Sequence, residues 1–209
     1  MTGEGTGKVP LIGLVLEGQT EYKSLPEMLD RLGIHYTRPS CINGQAEDAS
    51  TTDVVKYLIL PHVRWQLQKN VDIVVVVVDL ERRQCSAGAF RDTLRNEIVR
   101  QLRDSEPSAP TEKVRVVVCN RTFENWLLAD PGGMGRSALI EKDLTRAVEC
   151  HSDQKDALPL LKSAFRRKRR YVKALHGPEL AKYIRVEDAE VHLCSESLRE
   201  FIEIVTSLS

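Results

Sequence analysis

The chain has 209 residues, enough for one main domain with a sizeable core, since domains usually comprise about 100 to 200 residues. Its 30 basic and 30 acidic residues give a net charge of zero, which excludes a global basic field that would recruit nucleic acid or an anionic membrane. The N-terminal sequence lacks the pattern of a signal peptide, and the longest apolar runs are too short to span a bilayer. We therefore expect a soluble cytoplasmic protein with no membrane partner.

The first part of the chain alternates strand and helix signals. In chain order they fall at residues 11–16 (strand), 20–33 (helix), 34–39 (strand), 53–68 (helix), 71–78 (strand), 87–103 (helix) and 114–119 (strand). The run over 71–78 is almost entirely β-branched, which suits a central strand covered on both faces. Pro61 predicts a kink or break in the second helix. This alternation is typical of a parallel α/β sheet.

The remainder of the chain, from about Pro131 onward, has mostly helical patterns after the loop PGGMG. We therefore predict an α/β domain over residues 1–130, with a parallel sheet of about four strands and helices on both faces. A mostly helical C-terminal extension over residues 131–209 is expected to pack on that domain.

The five cysteines are scattered along the chain, are odd in number and include no CxxC pair. This pattern argues against a disulfide framework and against a structural zinc site. We therefore predict buried, reduced thiols.

Acidic residues follow the ends of two predicted strands. Glu17 follows the first strand directly, with Glu21 one helical turn further on, and Asp79 and Glu81 follow the valine run. In an open parallel sheet, ligands bind beyond the carboxyl ends of the strands. If the two strands are neighbours, the four carboxylates converge, and such like charges destabilise the fold unless a proton or cation intervenes. Oxygen-rich clusters of this kind suit Mg²⁺ or Mn²⁺.

Residues alternate in direction along an extended chain, so Asp79 and Glu81 should point the same way and Leu80 the opposite way. Each acid also has a purely structural interpretation. Acids are common at strand ends, Glu21 suits the first turn of a helix, and Glu81 would pair with one of the two arginines that follow it. Taken together, the pattern favours a metal site.

These acidic motifs resemble the TOPRIM domain, which is shared by topoisomerases, bacterial primases and the overcoming-lysogenization-defect nucleases. EGQTE follows the first strand and DLE follows the valine strand, where the TOPRIM pattern has a Glu and then DxD. DxE in place of DxD keeps the negative charge, but the second acidic side chain is longer by one methylene group. The resemblance implies a TOPRIM-like or Rossmann-like fold and a Mg²⁺-dependent phosphoryl-transfer site.

The chain also resembles a bacterial TOPRIM-like family of unknown function, DUF4276. The matching segments are FENWLLADP (123–131), YVKALHGPELAKYI (171–184) and LCSESLREFIEIV (193–205), and the HGP stretch is the most specific. Together with the acidic motifs, these matches cover nearly the whole chain.

The resemblance implies roles for individual residues. Asp79 and Glu81 would bind metal, Glu17 would be a ligand or a general acid/base, and Glu21 would be a ligand of a second ion. Lys23 would approach the phosphate, or would be a solvated helix lysine.

A basic segment, KSAFRRKRRYVK (162–173), has seven basic residues, no acids and two aromatic residues. Apolar positions from 161 to 175 recur at helical spacing, so one stripe would pack on the body while the basic residues face outward. Such a stripe suits a nucleic-acid backbone, and a solvated helix face is the alternative. The predicted nucleic-acid-binding residues are Arg166, Arg167, Arg169, Arg170, Lys173 and His176.

Lys173 and His176 lie inside the family-like stretch, so both are linked to the active site, and Lys173 is a candidate catalytic residue. Glu124, in FENWLL, would approach the same crevice or would only cap its helix. Trp126, in the same segment, is expected in the core.

Two functions from different classes stay open. One is a metal-dependent nuclease that cleaves DNA or RNA, as the effector of an antiphage or mobile-element system. The other is a non-catalytic partner or regulatory subunit of an ATPase, as the family's frequent encoding beside ATPase genes suggests. The acids at Glu17, Asp79 and Glu81 favour the enzyme, whereas DxE in place of DxD leaves room for the partner role.

Overall fold

The computed structural model describes residues 9–42, 50–81, 83–166 and 170–208. Its centre is a parallel sheet whose strands are β1 (Leu11–Leu16), β2 (His35–Tyr36), β3 (Ser40–Cys41), β4 (Ile73–Asp79) and β5 (Val114–Cys119). The order is β2-β1-β4-β5, and β3 follows β2 along the same edge of β1. The predicted parallel sheet is confirmed. Of the strand predicted over 34–39, only β2 forms, and β3 begins just after Pro39, which lacks the N–H of a ladder residue.

The helices along the first part of the chain are α1 (Gln19–Arg31), α2 (Thr51–Asp53), a π-helix (Val54–Ile59), α3 (Leu60–Leu67) and α4 (Ala87–Ser105). Gly33 follows α1 with φ +68°, a left-handed conformation that glycine adopts readily. Pro61 is the second residue of α3 and follows the π-helix directly, so its missing N–H lies where the hydrogen-bond pattern changes from π to α. The segment predicted as a helix over 53–68 is therefore helical, but its hydrogen bonds change from the π to the α pattern just before Pro61.

Side-chain alternation along β4 divides the core in two. From Ile73 to Val77 the odd-numbered residues pack on the side of α1, and the even-numbered valines pack with α3 and α4 on the other side. All seven residues of β4 are buried. The alternation directs Asp79 toward the side of α1, while Leu80 packs in the opposite core.

The remaining helices are α5 (Glu124–Leu127), α6 (Pro131–Met134), α7 (Thr145–Val148), α8 (Ala157–Ala164), α9 (Lys173–Ala181), α10 (Ala189–Cys194) and α11 (Glu196–Thr206). They share one core with α1 and the sheet, in which Trp126 and Phe201 are fully buried. Buried Asp130 accepts hydrogen bonds from the guanidinium of Arg185, at 2.9 Å, and from the N–H of Gly133. No helix in the described ranges is long and apolar enough to cross a membrane.

The helical stripe predicted over 161–175 is wrong. α8 ends at Ala164, and Phe165 forms an isolated antiparallel bridge with Ile140. The Phe165 ring packs edge-on against Tyr171, with 5.4 Å between ring centroids, and both residues are buried. Positions six apart do not share a helix face, so burying both rings together requires the helix to end.

The prediction of five reduced thiols is wrong for Cys150 and Cys194, which form a disulfide across 44 residues of sequence. α10 returns to the turn after α7, where the hydroxyl of Ser152 donates to the carbonyl oxygen of Cys194 at 2.7 Å. Spacing along the chain gives no sign of this tertiary contact. Cys41, Cys85 and Cys119 are thiols outside the disulfide. Cys119 is buried as predicted, whereas Cys85 is exposed.

Removing the disulfide is expected to lower the free energy of unfolding by about 2–4 kcal/mol, because the bridge restricts the unfolded chain. Urea denaturation of the Cys150→Ser/Cys194→Ser double variant measures the loss against the wild type. Cys85→Ser, which changes an exposed free thiol, is the control. Equal stability of the double variant and the wild type would show that the bridge contributes nothing.

Candidate active site

The carboxyl ends of β1 and β4 place Glu17 beside Asp79. The two strands are parallel neighbours, and Leu16 lies in register with Val77. The N–H of Glu17 donates to the carbonyl oxygen of Val77 at 3.1 Å, and the N–H of Asp79 donates to Oε2 of Glu17 at 2.6 Å. The Glu17 carboxylate is therefore held against the backbone of the adjacent strand.

Glu21 and Glu124 join this pair, and we call the four carboxylates Glu17, Glu21, Asp79 and Glu124 the acidic cluster. Glu21 lies in the first turn of α1 and Glu124 is the first residue of α5, with relative exposures of 5% and 1%. Gly18 makes room for Glu21, because a Cβ there would lie 2.6 Å from Oε2 of Glu21. Glu124 thus approaches the crevice, which is one of the two positions that the sequence analysis considered for it.

The pKa values of three carboxyl groups in the acidic cluster are raised. Burial raises the pKa of Asp79 well above its ordinary value, and the charges of Glu21 and Glu17 raise it further. Burial, together with the charges of Glu124 and Glu17, raises the pKa of Glu21 to about 7. Burial also raises the pKa of Glu17, against the opposing hydrogen bond from Asp79. The cluster therefore favours protons or a cation.

Lys173 is a cation beside the acidic cluster. Its Nζ lies 3.3 Å from Oε2 of Glu124, and the hydroxyl of Tyr171 donates to Oε1 of the same carboxylate at 3.4 Å. Burial lowers the pKa of Lys173, but the charges of Glu124 and Asp79 outweigh burial and raise it overall. The amine is therefore protonated and offsets part of the negative charge.

The HGP stretch brings α9 close to α1. A Cβ at Gly177 would lie 2.4 Å from Cγ2 of Thr20, so glycine is required for the two helices to pack at this distance. His176 accepts a hydrogen bond at Nδ1 from the N–H of Val172 at 2.9 Å, and its ring packs on Phe165. These contacts fix the first turn of α9, where Lys173 begins the helix.

Glu81 lies at the rim of the acidic cluster. The chain turns there with φ +51°, and the N–H of Glu81 donates to the carbonyl oxygen of Arg121 at 2.6 Å. The strand alternation that directs Asp79 and Leu80 therefore stops before Glu81. Glu81 is exposed, and its charge contributes to the raised pKa of Glu17.

The basic residues predicted to bind nucleic acid do not form one helical face. Arg166 and Arg170 are exposed in irregular chain after α8, and Arg167 and Arg169 lie outside the described residues. Lys23 is exposed, and its Nζ lies 3.4 Å from a carbonyl oxygen in the first turn of α9. Of the predicted basic residues that the structure describes, Lys173 is the one that lies beside the acidic cluster.

Three cations beside the cluster were not predicted from sequence: Arg83, Arg121 and Lys162 line the adjoining cleft. Arg121 follows β5 as Asp79 ends β4, so the rule for strand ends would have found it. Arg83 is one of the two arginines considered as partners of Glu81, and its Nη1 donates to the carbonyl oxygen of Asp79 at 3.0 Å.

The donor set of the acidic cluster fits a hard divalent cation, because carboxylate oxygens are the preferred ligands of Mg²⁺ and Mn²⁺. Oδ1 of Asp79 is buried, and no group in the described part of the chain donates a hydrogen bond to it. Within the same residues, no three His, Cys, Asp or Glu side chains form a complete metal-binding group. Side-chain rotation of Glu17, Glu21 or Glu81 would therefore be needed to complete a coordination sphere around Asp79.

Comparison with known proteins agrees with this architecture. The model of the family described as "Domain of unknown function (DUF4276)" matches residues 16–205. The C-terminal region of the Burkholderia pseudomallei OLD protein is 19% identical over 95% of this chain and 98% of that chain, with a TM-score of 0.52, which shows a common fold. The corresponding region of the Xanthomonas campestris pv. campestris OLD protein is 18% identical over 92% and 96%, with a TM-score of 0.44. A search of curated proteins found no match.

The raised pKa of Glu21 predicts that the metal-free protein loses stability as pH rises. The pKa moves from an ordinary 4.5 to about 7, so the folded state binds the extra proton between these values, and unfolding becomes easier as that proton leaves. Glu21→Gln is expected to reduce this loss by on the order of 2 kcal/mol between pH 4.5 and 7. Urea denaturation in EDTA across this window measures it.

The exposed Glu112 offers the matched control, since Glu112→Gln removes a carboxylate outside the cluster. The same pH dependence in Glu21→Gln and in the wild type would contradict the assignment of the raised pKa to Glu21.

Proposed function

We infer that this chain, which belongs to the DUF4276 family, is a metal-dependent phosphoryl-transfer enzyme, a TOPRIM-like nuclease that cleaves DNA or RNA. The observation that carries the inference is the buried Oδ1 of Asp79, unpaired in the described structure and surrounded by three further carboxylates. Burying like charges destabilises a fold, and such strain is concentrated at functional sites. A divalent cation would relieve it.

Mg²⁺ or Mn²⁺ would be held by Asp79, Glu17 and Glu81, with Glu21 as a ligand of a second ion. When bound, the cation stabilises charge on phosphate oxygens and lowers the pKa of a coordinated water. Asp79 is the anchor of this set, because β4 fixes its backbone between two neighbouring strands. Glu17, whose pKa is raised by burial, is the candidate general acid/base.

Lys173 would bind and orient the phosphate. Its ammonium group is half exposed on the side of the cleft and lies 3.3 Å from Glu124. A protonated amine at this position stabilises negative charge that develops on the phosphoryl oxygens. Glu124, which accepts a hydrogen bond from the hydroxyl of Tyr171, holds the amine in place between encounters with substrate.

The fold likeness to the C-terminal region of an OLD protein supports extending the proposal to an effector role in an antiphage or mobile-element system. The second candidate is a non-catalytic partner of an ATPase. It is favoured by one observation, that the described carboxylates do not yet form a complete metal-binding group. Metal-dependent cleavage separates the two.

Asp79→Asn is expected to abolish cleavage of a panel of labelled single- and double-stranded DNA and RNA in Mn²⁺ or Mg²⁺. The same metals are expected to raise the melting temperature of the wild type and not of the variant. The metal-free variant is expected to be at least as stable as the wild type, because the substitution removes a buried like charge. Asp104→Asn, which changes an exposed residue of α4, is the control.

Cleavage retained by Asp79→Asn would contradict the catalytic assignment. A wild type that neither cleaves the panel nor responds to metal would favour the non-catalytic partner.

Lys173→Gln is expected to lower both stability and activity, because it leaves the buried Glu124 without its cation. The double variant Glu124→Gln/Lys173→Gln is expected to recover most of the lost stability, since both charges are gone, yet to stay at least about tenfold less active. Urea denaturation and cleavage rates of the two single variants and the double variant measure the cycle. Recovery of activity together with stability would reduce Lys173 to a structural role.

A further inference from the structure

A cleft of about 1,000 Å³ opens directly beside the acidic cluster. Glu81 and Lys173 line it, so the cleft is continuous with the candidate active site. Its other walls come from the start of the π-helix, from α4, from the turn after β5 and from α8. The volume lies at the upper end of the range for ligand pockets, about 300–1,000 Å³.

The cleft carries local positive charge in a chain whose net charge is zero. Its four cations, set against the two carboxylates Glu81 and Asp156, are Arg83, Arg121, Lys162 and Lys173. Arg121 and Lys162 are exposed, and neither side chain makes a hydrogen bond or ion pair with any other described residue. Both charges are therefore available to the phosphates of a ligand.

The backbone fixes where Arg121 lies. Arg121 has φ +76° and Glu81 has φ +51°, and the two residues are joined by the hydrogen bond from the N–H of Glu81 to the carbonyl oxygen of Arg121. Left-handed conformations are uncommon for residues with a Cβ, and two of them in contact couple the ends of β4 and β5. The side chain of Arg121 is thus held at the same strand ends that carry the carboxylates.

Apolar side chains that are at least partly exposed line the same cleft, among them Val54, Leu158 and Pro159. Phosphates gain nothing from such surface, whereas the faces of nucleobases do, and these faces are accessible only when a strand is unpaired. The guanidinium of Arg83 lies over the Phe90 ring at 4.4 Å, and a guanidinium plane of this kind also stacks on bases.

We propose that the cleft binds an unpaired nucleic-acid strand next to the scissile phosphate, with Arg121 and Lys162 on backbone phosphates and the apolar wall against the bases. The proposal rests on the proposed function in taking nucleic acid as the ligand, and it deepens that function by naming the form of the substrate. Phosphate contacts hold the strand, and the apolar wall selects against a duplex.

The test is fluorescence anisotropy in EDTA with a labelled oligothymidine of about 12 nucleotides, a length that spans single-strand sites of known proteins, and with a duplex of the same length. The wild type is expected to bind the single strand at least about tenfold tighter than the duplex. The double variant Arg121→Asn/Lys162→Gln is expected to bind the strand about tenfold more weakly, with a log–log salt slope shallower by about 1.4, since each phosphate contact contributes about 0.7. Asn is chosen because it tolerates a left-handed backbone.

Two further variants keep the test decisive. Arg121→Lys preserves the charge and is expected to keep the salt slope, whereas Lys182→Gln/Arg199→Gln removes two cations outside the cleft and is expected to bind as the wild type does.

Equal affinity for strand and duplex, or a salt slope unchanged in a folded Arg121→Asn/Lys162→Gln variant, would overturn the proposal. If urea denaturation shows that the double variant does not fold, the Lys162→Gln single variant replaces it in the binding assay, with an expected change in salt slope of about 0.7.

Binding without metal separates this inference from the proposed function. Selective binding of the single strand, with no cleavage by the wild type or the variants, would overturn the proposed nuclease activity and leave the cleft assignment standing. Cleavage by the double variant at wild-type kcat and KM would overturn the cleft assignment and leave the enzyme standing.

Discussion

Four carboxylates that meet beside the carboxyl ends of β1 and β4, three of them buried and Glu17 partly buried, set the constraint on which the site depends. Burial raises the pKa of Asp79, Glu21 and Glu17, so the cluster holds together through protons, through hydrogen bonds from the backbone, and through the ammonium group of Lys173. An arrangement chosen for stability alone would place apolar residues here. Binding of a cation by the cluster would offset the free-energy cost of burying these like charges.

The C-terminal helices are required to complete this site. Lys173 reaches Glu124 because α9 packs on α1 at Gly177, where a larger residue would collide with Thr20. Phe165 and Tyr171 end the preceding helix and redirect the chain toward the sheet. The extension therefore contributes a charged residue to the crevice as well as apolar surface to the core.

Charge in this protein is segregated by depth. Carboxylates lie buried or partly buried at the strand ends, and cations line the cleft that opens beside them. Two of these cations, Arg121 and Lys162, make no side-chain hydrogen bond or ion pair with another described residue. A phosphate in that cleft would lie between exposed positive charge and the acidic cluster, which we propose binds a metal ion. This separation gives a neutral chain a local means of attracting a polyanion to an acidic centre.

The sequence by itself determined the parallel sheet and the positions of Glu17 and Asp79 after two of its strands. The pairing of the valine strand with the first strand, which brings these two acids together, was decided by the structure. Strand periodicity, and the acidic residues that directly follow a strand, are local features of the sequence, so they can be identified without the structure. Only the tertiary structure decided that Glu81 turns to the rim, that the basic segment is not one helix, and that Cys150 meets Cys194. Each of these depends on contacts between residues distant in sequence, and packing overrides local periodicity wherever burial of side chains such as Phe165 and Tyr171 is at stake.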